Sequence, residues 1–355
     1  MGNSYGFAPI AVLRWYLSGT KNYGIKGWEM ASAKFNPNDI PNSLSGTVVA
    51  ITGANSGLGF ACAKIYAERD AEVHLLCRNV EKGEKAKSRI CEILEKEGKD
   101  GKRKEKNIFA WECNASDMSS IRLFSEKFNT AGRKLDVLVN NAGGMPAERT
   151  WTNDEHDTIM ASALGGTMLL TACCLPSLKN SNNGIGRVIN VVSGGAYCVK
   201  CPPPNDLDFR KASKYDATLF YAYAKRAQVI LTELWPKFIS EIDDDKSIND
   251  KIRFFCMHPG WAETEGVADA LEGGRLGLSS TEGFRTAEQG ADTILFLGAT
   301  KREDILEPSK NGELYFDREV VSKHLGLGTN SDESTKNQLW DAAAKYVGGL
   351  SAIVA

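Results

Sequence analysis

Residues 47–59 read TVVAITGANSGLG, an apolar run that passes directly into three closely spaced glycines. The run from Thr47 to Thr52 is typical of a buried β-strand, and the apolar spacing after Leu58 indicates a helix. Glycines between the two let the backbone turn tightly and approach a pyrophosphate at the helix N-terminus, where free N–H groups and the helix dipole favour anions. The spacing is Gly-x-x-x-Gly-x-Gly rather than the common Gly-x-Gly-x-x-Gly. The position of the glycines directly after the first strand is therefore the main evidence for a nucleotide-binding turn. This stretch predicts the first strand–turn–helix unit of a nucleotide-binding sheet.

Downstream of this unit the chain alternates short apolar runs with helical patterns. Continuous apolar strands that are joined by helices indicate a parallel sheet covered on both faces. We therefore predict an α/β fold, an open doubly wound parallel sheet of the Rossmann type, in a single domain with an N-terminal extension. Strands are expected at residues 47–52, 71–77, 108–113, 135–140, 187–192 and 252–257, and helices at residues 58–69, 80–96, 118–129, 154–178 and 219–239.

Composition restricts the class of protein. The 355 residues are 42% hydrophobic, and 43 basic against 45 acidic side chains leave a net charge of −2, which gives no general attraction to nucleic acid. Nine scattered cysteines indicate reduced thiols, and hence the cytoplasm, rather than a disulfide framework. Cys198 and Cys201 form a lone Cys-x-x-Cys without a second pair, so no metal site is predicted. No apolar run approaches the roughly 18 residues of a membrane-spanning helix.

Residues 1–45 lie outside the alternation and are rich in aromatic side chains. This extension can either pack on the domain or act as an amphipathic arm that contacts a membrane surface, and packing is the favoured interpretation. Its aromatic residues include Trp15, Tyr16, Tyr23, Trp28 and Phe35.

Tyr221 and Lys225 are four residues apart in a predicted helix, so their side chains share one face. A phenol titrates near pKa ~10, and a neighbouring ammonium that favours the phenolate brings this pKa nearer to the range of a general acid or base. Taken alone, the spacing is explained more simply by a packed tyrosine and a lysine that reaches solvent. Its position downstream of the nucleotide turn and of Ser193 favours an acid–base pair that moves a proton onto or off a carbonyl or alcohol oxygen.

The end of the second predicted strand indicates which cofactor is bound. Sheets that bind NAD carry an acidic residue there for the ribose 2′-hydroxyl. This chain instead has Cys77-Arg78-Asn79, with no carboxylate to accept that hydrogen bond, and Arg78 can pair with a 2′-phosphate. The sequence therefore predicts NADP(H) rather than NAD(H).

These motifs occur in a recognisable order along the chain. The glycine turn, the sequence NNAG at residues 140–143, Ser193, the Tyr221–Lys225 pair and Pro259-Gly260 follow one another. Together they resemble the short-chain dehydrogenase/reductase family over roughly residues 45–300. The run LCRNVEKGE at residues 76–84 resembles the retinol-dehydrogenase-like branch, and residues 257–264, 289–293 and 316–318 are similar to the dehydrogenase/reductase family member 12 type.

The resemblance implies a role for each matched residue. Ser193 would hydrogen-bond the substrate oxygen, Tyr221 would act as the general acid or base, and Lys225 would lower the Tyr221 pKa and hold the ribose hydroxyls. Asn114 stands near the adenine position, where the family usually has Asp, and His258 is interpreted as a packed histidine without a role. The implied NADP-binding residues are Gly53, Asn55, Ser56, Gly57, Leu58, Gly59, Arg78, Asn114, Asn140, Ala142, Gly143, Tyr221, Lys225, Pro259, Gly260 and Thr264.

The resemblance also divides the chain into the extension at residues 1–45, an NADP-binding domain at 46–330 and a C-terminal helix or tail at 331–355. The domain includes a substrate lid near 261–285. The expected partners are a small-molecule carbonyl or alcohol substrate, a membrane surface in weak contact with the extension, and a second copy of the chain. Apolar lid residues favour a lipophilic substrate; they are Leu271, Leu276, Leu278 and Phe284.

One departure from the family pattern bears on activity. The family usually has an Asn on the helix before the fifth strand, where it supports a proton-relay water. That position is Ala163 here, and no Asn lies in the predicted helix. Two functions stay open: an NADP(H)-dependent oxidoreductase that interconverts a carbonyl and an alcohol, and a non-catalytic NADP-binding or scaffold protein with an impaired relay. An epimerase or dehydratase of the extended branch would have a Gly-x-x-Gly-x-x-Gly turn, which this chain lacks.

Overall fold

The computed structural model describes residues 5–245, 247–274, 280–326 and 328–350. The strands of its single sheet are β1 (Val48–Thr52), β2 (Glu72–Cys77), β3 (Ile108–Glu112), β4 (Val137–Asn140), β5 (Gly186–Val191), β6 (Ile252–Met257), β7 (Glu313–Phe316) and β8 (Glu319–Val321). Their spatial order is β3-β2-β1-β4-β5-β6-β7-β8. Neighbouring strands from β3 to β7 pair in parallel, and β8 pairs antiparallel with β7 at one edge. The predicted doubly wound parallel sheet is confirmed.

Helices cover both faces of the sheet, which is why β1, β4, β5 and β6 are buried along their whole length. The helices are α1 (Pro9–Asn22), α2 (Ile25–Ser32), α3 (Gly57–Glu68), α4 (Val80–Lys96), α5 (Gly101–Lys104), α6 (Met118–Thr130), α7 (Thr158–Leu164), α8 (Thr171–Lys179), α9 (Ala217–Phe238), α10 (Ile248–Lys251), α11 (Glu265–Glu272), α12 (Ala287–Ala299), α13 (Glu303–Leu306) and α14 (Glu333–Tyr346). One core lies between the sheet and α6, α8, α9 and α14, and a second lies between the sheet and α3, α4 and α12.

The structure differs from the sequence prediction in the helix before β5 and at the edge of the sheet, and α12 was not predicted either. The predicted helix at residues 154–178 is divided, because a π-helical turn at Gly165–Leu170 separates α7 from α8. The strands β7 and β8 were not predicted, because each is only three or four residues long and has too few apolar positions to form a pattern.

The direction of the strand order reverses between β2 and β4, on the two sides of β1. Helices leave the sheet toward opposite faces at such a point, so a crevice opens at the carboxyl ends of the strands. Ligands of doubly wound sheets bind in this crevice. The turns that follow β1, β4, β5 and β6 all lie at this edge of the sheet.

The helical segment Thr158–Lys179 is long and apolar enough to cross a membrane. The prediction that no apolar run approaches that length was therefore wrong, because isolated polar residues such as Ser162 and Thr167 interrupt the run without lowering its average hydropathy much. In the fold, 89% of its apolar window is buried against the sheet and neighbouring helices. This burial is the property of a core helix of the domain.

The N-terminal extension packs on the domain. The backbone N–H of Ala8 donates to the Cys198 carbonyl at 2.7 Å, and the N–H of Trp261 donates to the Tyr23 carbonyl at 2.8 Å. The Tyr23 side chain is only 4% exposed and contacts Trp261 and Phe316 edge to face. Among the described residues, we call residues 5–35 the N-terminal arm.

One buried arginine fastens the arm to the rest of the protein. The Arg285 guanidinium donates to the carbonyl oxygens of Tyr23 at 2.8 Å and Asn22 at 2.7 Å, and it makes a bidentate ion pair with Asp317. It is 1% exposed and lies over the Phe316 ring, 4.7 Å from the centroid. A buried guanidinium is tolerated only when such partners satisfy its donors.

Arg285→Met is expected to lower the free energy of unfolding by about 3–5 kcal/mol, because it leaves the Asp317 carboxylate buried without its cation and two arm carbonyls without donors. Urea unfolding measures this loss, and limited trypsin digestion tests whether the arm becomes accessible. The control is Lys237→Met, which removes the cation of the exposed Glu333 pair and should cost at most about 1 kcal/mol. Equal losses in the two variants would contradict a special role for Arg285.

Candidate active site

The glycine turn between β1 and α3 adopts a shape that only glycine tolerates well. Gly53 and Gly57 have φ angles of +65° and +52°. At Gly59 a Cβ would lie 2.4 Å from the Gly53 carbonyl oxygen, so each of the three glycines is required by geometry. Asn55 and Ser56 complete the turn, and no side chain caps the first N–H groups of α3, which begins at Gly57 with Leu58 next. These N–H groups are therefore available to an anion.

Residues from distant parts of the sequence meet this turn. A Cβ at Gly53 would lie 3.2 Å from the Ala142 Cα, and one at Gly57 would lie 3.2 Å from the Thr264 Cβ. The Thr52 hydroxyl accepts hydrogen bonds from the backbone N–H groups of Asn141 and Ala142 at 2.8 and 2.9 Å. The turns that follow β1, β4 and β6 thus form one surface, as expected for a site at the carboxyl edge of the sheet.

Arg78 is exposed directly after β2. The preceding residue, Cys77, accepts hydrogen bonds at its sulfur from the backbone N–H groups of Ala54 and Asn55, so Arg78 adjoins the glycine turn. Asn114 lies after β3, where its side-chain oxygen accepts hydrogen bonds from the backbone N–H and hydroxyl of Ser116. Arg78 and Asn114 therefore lie on the side of the crevice formed by β2 and β3, as predicted for the adenosine part of a dinucleotide.

The predicted acid–base residues come together at the start of α9. Asp216 caps this helix through a hydrogen bond from the Leu219 N–H at 3.0 Å, and this fixes its first turns. The Tyr221 hydroxyl hydrogen-bonds Ser193, which follows β5. The Lys225 Nζ lies 5.5 Å from the centroid of the Tyr221 ring. We call Ser193, Tyr221 and Lys225 the acid–base triad.

Burial determines the protonation of the triad. It raises the pKa of Tyr221 to about 12, against a smaller lowering by the hydrogen bond from Ser193. It lowers the pKa of Lys225 to about 7. The expectation that Lys225 holds the Tyr221 pKa below its ordinary value is therefore wrong for the protein alone, because burial penalises both charged forms. The phenol is protonated at neutral pH.

The Lys225 amine is held on two sides. It donates to the Val191 carbonyl oxygen and to Gln228 Oε1, each at 2.8 Å. A Cβ at Gly143 would lie 3.3 Å from its Nζ, so the amine faces the turn after β4. The neighbouring Asn140 has its side chain inside the fold, where its amide donates to Thr171 and Asn190. Any contact of Asn140 with a cofactor would therefore involve its backbone.

The turn after β6 joins the cofactor side of the crevice to the arm. Gly260 has φ +74°, and a Cβ there would lie 2.6 Å from the Tyr23 carbonyl oxygen. Pro259 precedes it, and the Thr264 side chain caps α11 through a hydrogen bond from the Val267 N–H at 3.2 Å. His258 is fully buried and stacks on Phe316, and burial lowers its pKa to about 3. A neutral histidine packed on an aromatic ring agrees with the interpretation of His258 as a packed residue without a role.

The predicted lid is described in part. It begins with α11, in which Leu271 is half-buried, and Phe284 near its end stacks on Trp261 with the ring centroids 5.8 Å apart. Leu276 and Leu278 lie outside the described residues. In the part of the chain that the structure describes, no cluster of His, Cys, Asp and Glu could hold a metal ion.

Two polar residues beside the triad were not predicted. Gln228 follows Lys225 by three residues, a spacing that places both on one helix face, so the sequence did contain that signal. Thr167 lies in the π-helical turn and hydrogen-bonds Gln228. Ala163, the position of the missing Asn, is 3% exposed and packs in the core.

The chain belongs to the short-chain dehydrogenase/reductase family. A family model for short chain dehydrogenases matches residues 47–200. Human dehydrogenase/reductase SDR family member 12 is 36% identical over 326 residues, which cover 91% of this chain and 93% of the human protein. Within the family the chain is similar to this member and to the retinol-dehydrogenase-like branch. Human retinol dehydrogenase 12 is 30% identical over 307 residues, covering 86% of this chain and 87% of that protein.

Solved structures share the fold at lower identity. A crystal structure of an uncharacterized protein from Mycobacterium paratuberculosis has a TM-score of 0.64 at 23% identity and covers 89% of this chain and 98% of its own. A short chain dehydrogenase from Shigella flexneri complexed with NADP has a TM-score of 0.53 at 20% identity, covering 78% and 99%. A 3-ketoacyl-(acyl-carrier-protein) reductase from Brucella melitensis complexed with NADH has a TM-score of 0.50 at 22% identity, covering 77% and 96%. At these identities the solved structures show the fold alone, and the family match and the relatives make the chain an oxidoreductase by family.

Proposed function

We propose that this chain is an NADP(H)-dependent oxidoreductase that interconverts a carbonyl and an alcohol, with Tyr221 as the general acid or base. The observation that carries the proposal is the meeting of the acid–base triad beside the glycine turn. The simpler interpretation of the Tyr221–Lys225 spacing requires a lysine that reaches solvent. Lys225 is only 3% exposed, and its amine donates to groups inside the fold.

The protonation of the triad provides the proton that carbonyl reduction consumes at neutral pH. A nicotinamide held beside the triad would supply a hydride for the carbonyl carbon. Tyr221, protonated because its pKa is raised to about 12, gives its phenolic proton to the carbonyl oxygen. Ser193 donates a hydrogen bond to the same oxygen, and the Lys225 ammonium stabilises the phenolate that remains.

Tyr221→Phe is expected to lower NADPH-dependent reduction of aldehydes or ketones by about 10²–10⁴-fold, because it removes the proton donor. NADPH binding should change much less, since the ring stays in place. A screen of lipophilic carbonyl compounds, followed by the decrease in NADPH absorbance, provides the measurement.

The matched control is Tyr223→Phe on the same helix, where the hydroxyl contacts Gly6 and not the triad. This variant should keep its activity. Equal rates in wild type and Tyr221→Phe would favour the alternative function, a non-catalytic NADP-binding or scaffold protein. That alternative is supported by Ala163 in place of the relay Asn.

We propose NADP(H) rather than NAD(H) because Arg78 stands where NAD-binding sheets carry a carboxylate. Its guanidinium is exposed at the end of β2, beside the glycine turn, and can make a bidentate pair with a 2′-phosphate.

Arg78→Gln is expected to weaken NADPH binding by roughly 10–100-fold, since a hydrogen-bonded charge pair to the 2′-phosphate is lost. NADH binding should stay nearly unchanged, because NADH lacks that phosphate. Fluorescence titration of both cofactors measures the two dissociation constants. Arg89→Gln, an exposed arginine of α4, serves as the control for loss of positive charge. An equal weakening for NADPH and NADH would contradict the assignment.

The substrate side of the crevice supports a lipophilic substrate. Trp261 follows the turn after β6 directly and stacks on Phe284 of the lid, and Trp15 of the arm meets Trp261 edge to face at 6.1 Å. Trp15 also lies against Gly194, next to Ser193, so the three rings offer an apolar contact surface that reaches the triad. Relatives named retinol dehydrogenase and polyprenol dehydrogenase are consistent with this class of substrate.

We also propose that the outer face of the arm rests on an anionic membrane surface. Ile10, Leu13 and Leu17 lie on one side of α1 and are 58–60% exposed. Lys21 and Lys26 are exposed nearby. An amphipathic helix with apolar and basic residues binds at the lipid–water boundary.

The free cysteine thiols predict a reducing compartment such as the cytoplasm, and this stays a prediction. Assembly of the chain into a homo-oligomer also stays a prediction.

The double variant Leu13→Ser, Leu17→Ser is expected to reduce co-sedimentation with phosphatidylserine vesicles by about tenfold or more, because two exposed leucines that would enter the lipid are lost from the contact. Raising the salt concentration should weaken wild-type binding as well. Leu123→Ser, which replaces an exposed leucine of α6, should leave binding unchanged. Wild-type protein that does not sediment with these vesicles would overturn the proposal.

A further inference from the structure

A buried network of polar side chains lies behind Lys225. Its members come from the ends of β4 and β5, from the π-helical turn, from α8 and from α9, and each is at most 3% exposed. Buried polar groups persist only when hydrogen bonds satisfy them, and such networks fix side chains in one position. The network consists of Asn140, Thr167, Thr171, Asn190, Lys225, Gln228 and Thr232.

Gln228 connects Lys225 to the π-helical turn. Its Oε1 accepts a hydrogen bond from the Lys225 amine, and its Nε2 donates to the Thr167 hydroxyl, both at 2.8 Å. An ammonium has no lone pair and can only donate, so the oxygen of the Gln228 amide has to face Lys225. The Thr167 carbonyl in turn accepts from the Trp235 indole at 2.8 Å, which anchors the far end.

The backbone of Gln228 is held from the other side. Its carbonyl oxygen accepts from the Thr232 hydroxyl, which itself accepts from the Asn190 amide at 2.9 Å. Asn190 accepts from the Asn140 amide, also at 2.9 Å. The backbone of Gln228 is therefore fixed in α9, and its side chain can turn away from Lys225 only by breaking the hydrogen bond to Thr167.

These contacts leave Lys225 with one direction for a ligand. Of its three N–H bonds, two point to Val191 and Gln228. The third can face the turn at Gly143 and the Tyr221 ring, which is the cofactor side. The orientation of the amine is thus imposed by Val191 and Gln228.

We propose that Gln228, anchored by Thr167, is the positioning residue for Lys225 and takes over the support that the missing Asn at position 163 would give. The proposal rests on the proposed function of the triad. Gln228 does not touch the reacting atoms, and it acts through the lysine.

The contact with Gln228 affects the charge of Lys225 as well as its position. A carbonyl oxygen that accepts from an amine favours the ammonium over the neutral form. The groups that the described structure places on Lys225 are the neutral Val191 carbonyl, the Gln228 amide and the Gly143 turn, and Tyr221 on its own helix is the titratable neighbour. No counter-ion contributes to the lowered pKa, which has burial as its cause. Loss of Gln228 should therefore lower the Lys225 pKa further.

The first experiment measures the folded protein without cofactor or substrate. Gln228→Met keeps the length of the side chain and removes the acceptor, and unfolding in urea is followed at pH 6 and pH 9. At pH 6, below the Lys225 pKa of about 7, the lost bond is one to an ammonium. At pH 9 the folded-state lysine is neutral in wild type and variant alike. If the folded-state Lys225 pKa falls by about one unit in the variant, the unfolding equilibrium constant should therefore rise about fivefold more at pH 6 than at pH 9.

Thr232→Val is the matched control. It removes a hydroxyl of the same network that does not contact Lys225, so its effect on unfolding should be equal at the two pH values. An equally pH-independent effect of Gln228→Met would overturn the proposal and leave Gln228 as a structural residue. This result is independent of catalysis, so a wild-type protein without any reductase activity would contradict the proposed function alone.

The second experiment uses the enzyme. The alkaline limb of the pH profile of kcat/KM for carbonyl reduction should follow the Lys225 ammonium, and it should move about one unit toward lower pH in Gln228→Met. Gln228→Glu keeps an acceptor and adds a negative charge, so its limb should move toward higher pH. If Gln228→Met does not fold, the shift of the alkaline limb in Gln228→Glu tests the proposal in its place. An unshifted limb in that variant would overturn the proposal.

Discussion

The buried guanidinium of Arg285 is the contact on which the geometry of the site depends. It joins two carbonyl oxygens at the end of α1 to Asp317 in the β7–β8 turn. A Cβ at Gly260, in the turn after β6, would lie 2.7 Å from its Nε, so this turn packs against the guanidinium. Because a desolvated cation is stable only with all of these partners present, the arm, the turn after β6 and the sheet edge take fixed relative positions. The N-terminal arm is thus a part of the domain's structure.

The acid–base triad shows how burial and hydrogen bonding oppose each other. Burial favours the neutral phenol and the neutral amine, so attraction between Lys225 and Tyr221 does not set the resting state of the pair. The groups that favour the charged lysine are neutral acceptors, Val191 and Gln228. Neutral acceptors hold a cation in place without pairing its charge, so the charge would stay available to the phenolate of the proposed reaction. A carboxylate in the place of Gln228 would compete with Tyr221 for it.

The fold and the triad could be predicted from the sequence because both depend on local patterns. Strands that are buried on both faces are continuously apolar, and Tyr221 and Lys225 share a helix face through a fixed spacing. The contacts made by the helix before β5 could not be predicted in this way. A π-helical turn inserts a residue into its hydrogen-bond ladder and changes which side chains face α9. Thr167 of this turn accepts a hydrogen bond from Gln228, and this contact depends on a distortion that no local pattern signals.

The two faces of α1 give the proposed substrate and the proposed membrane contact a common geometry. Its inner face meets the site: a Cβ at Gly194, next to Ser193, would lie 2.5 Å from the Trp15 Nε1, and one at Gly19 would lie 2.6 Å from the Trp261 ring. Its outer face exposes aliphatic side chains to the surroundings. A helix that contacts the site on one face and a lipid surface on the other would hold the substrate side of the crevice close to that surface. A lipophilic carbonyl compound would then reach Tyr221 after only a short passage through water, which lowers the cost of its transfer.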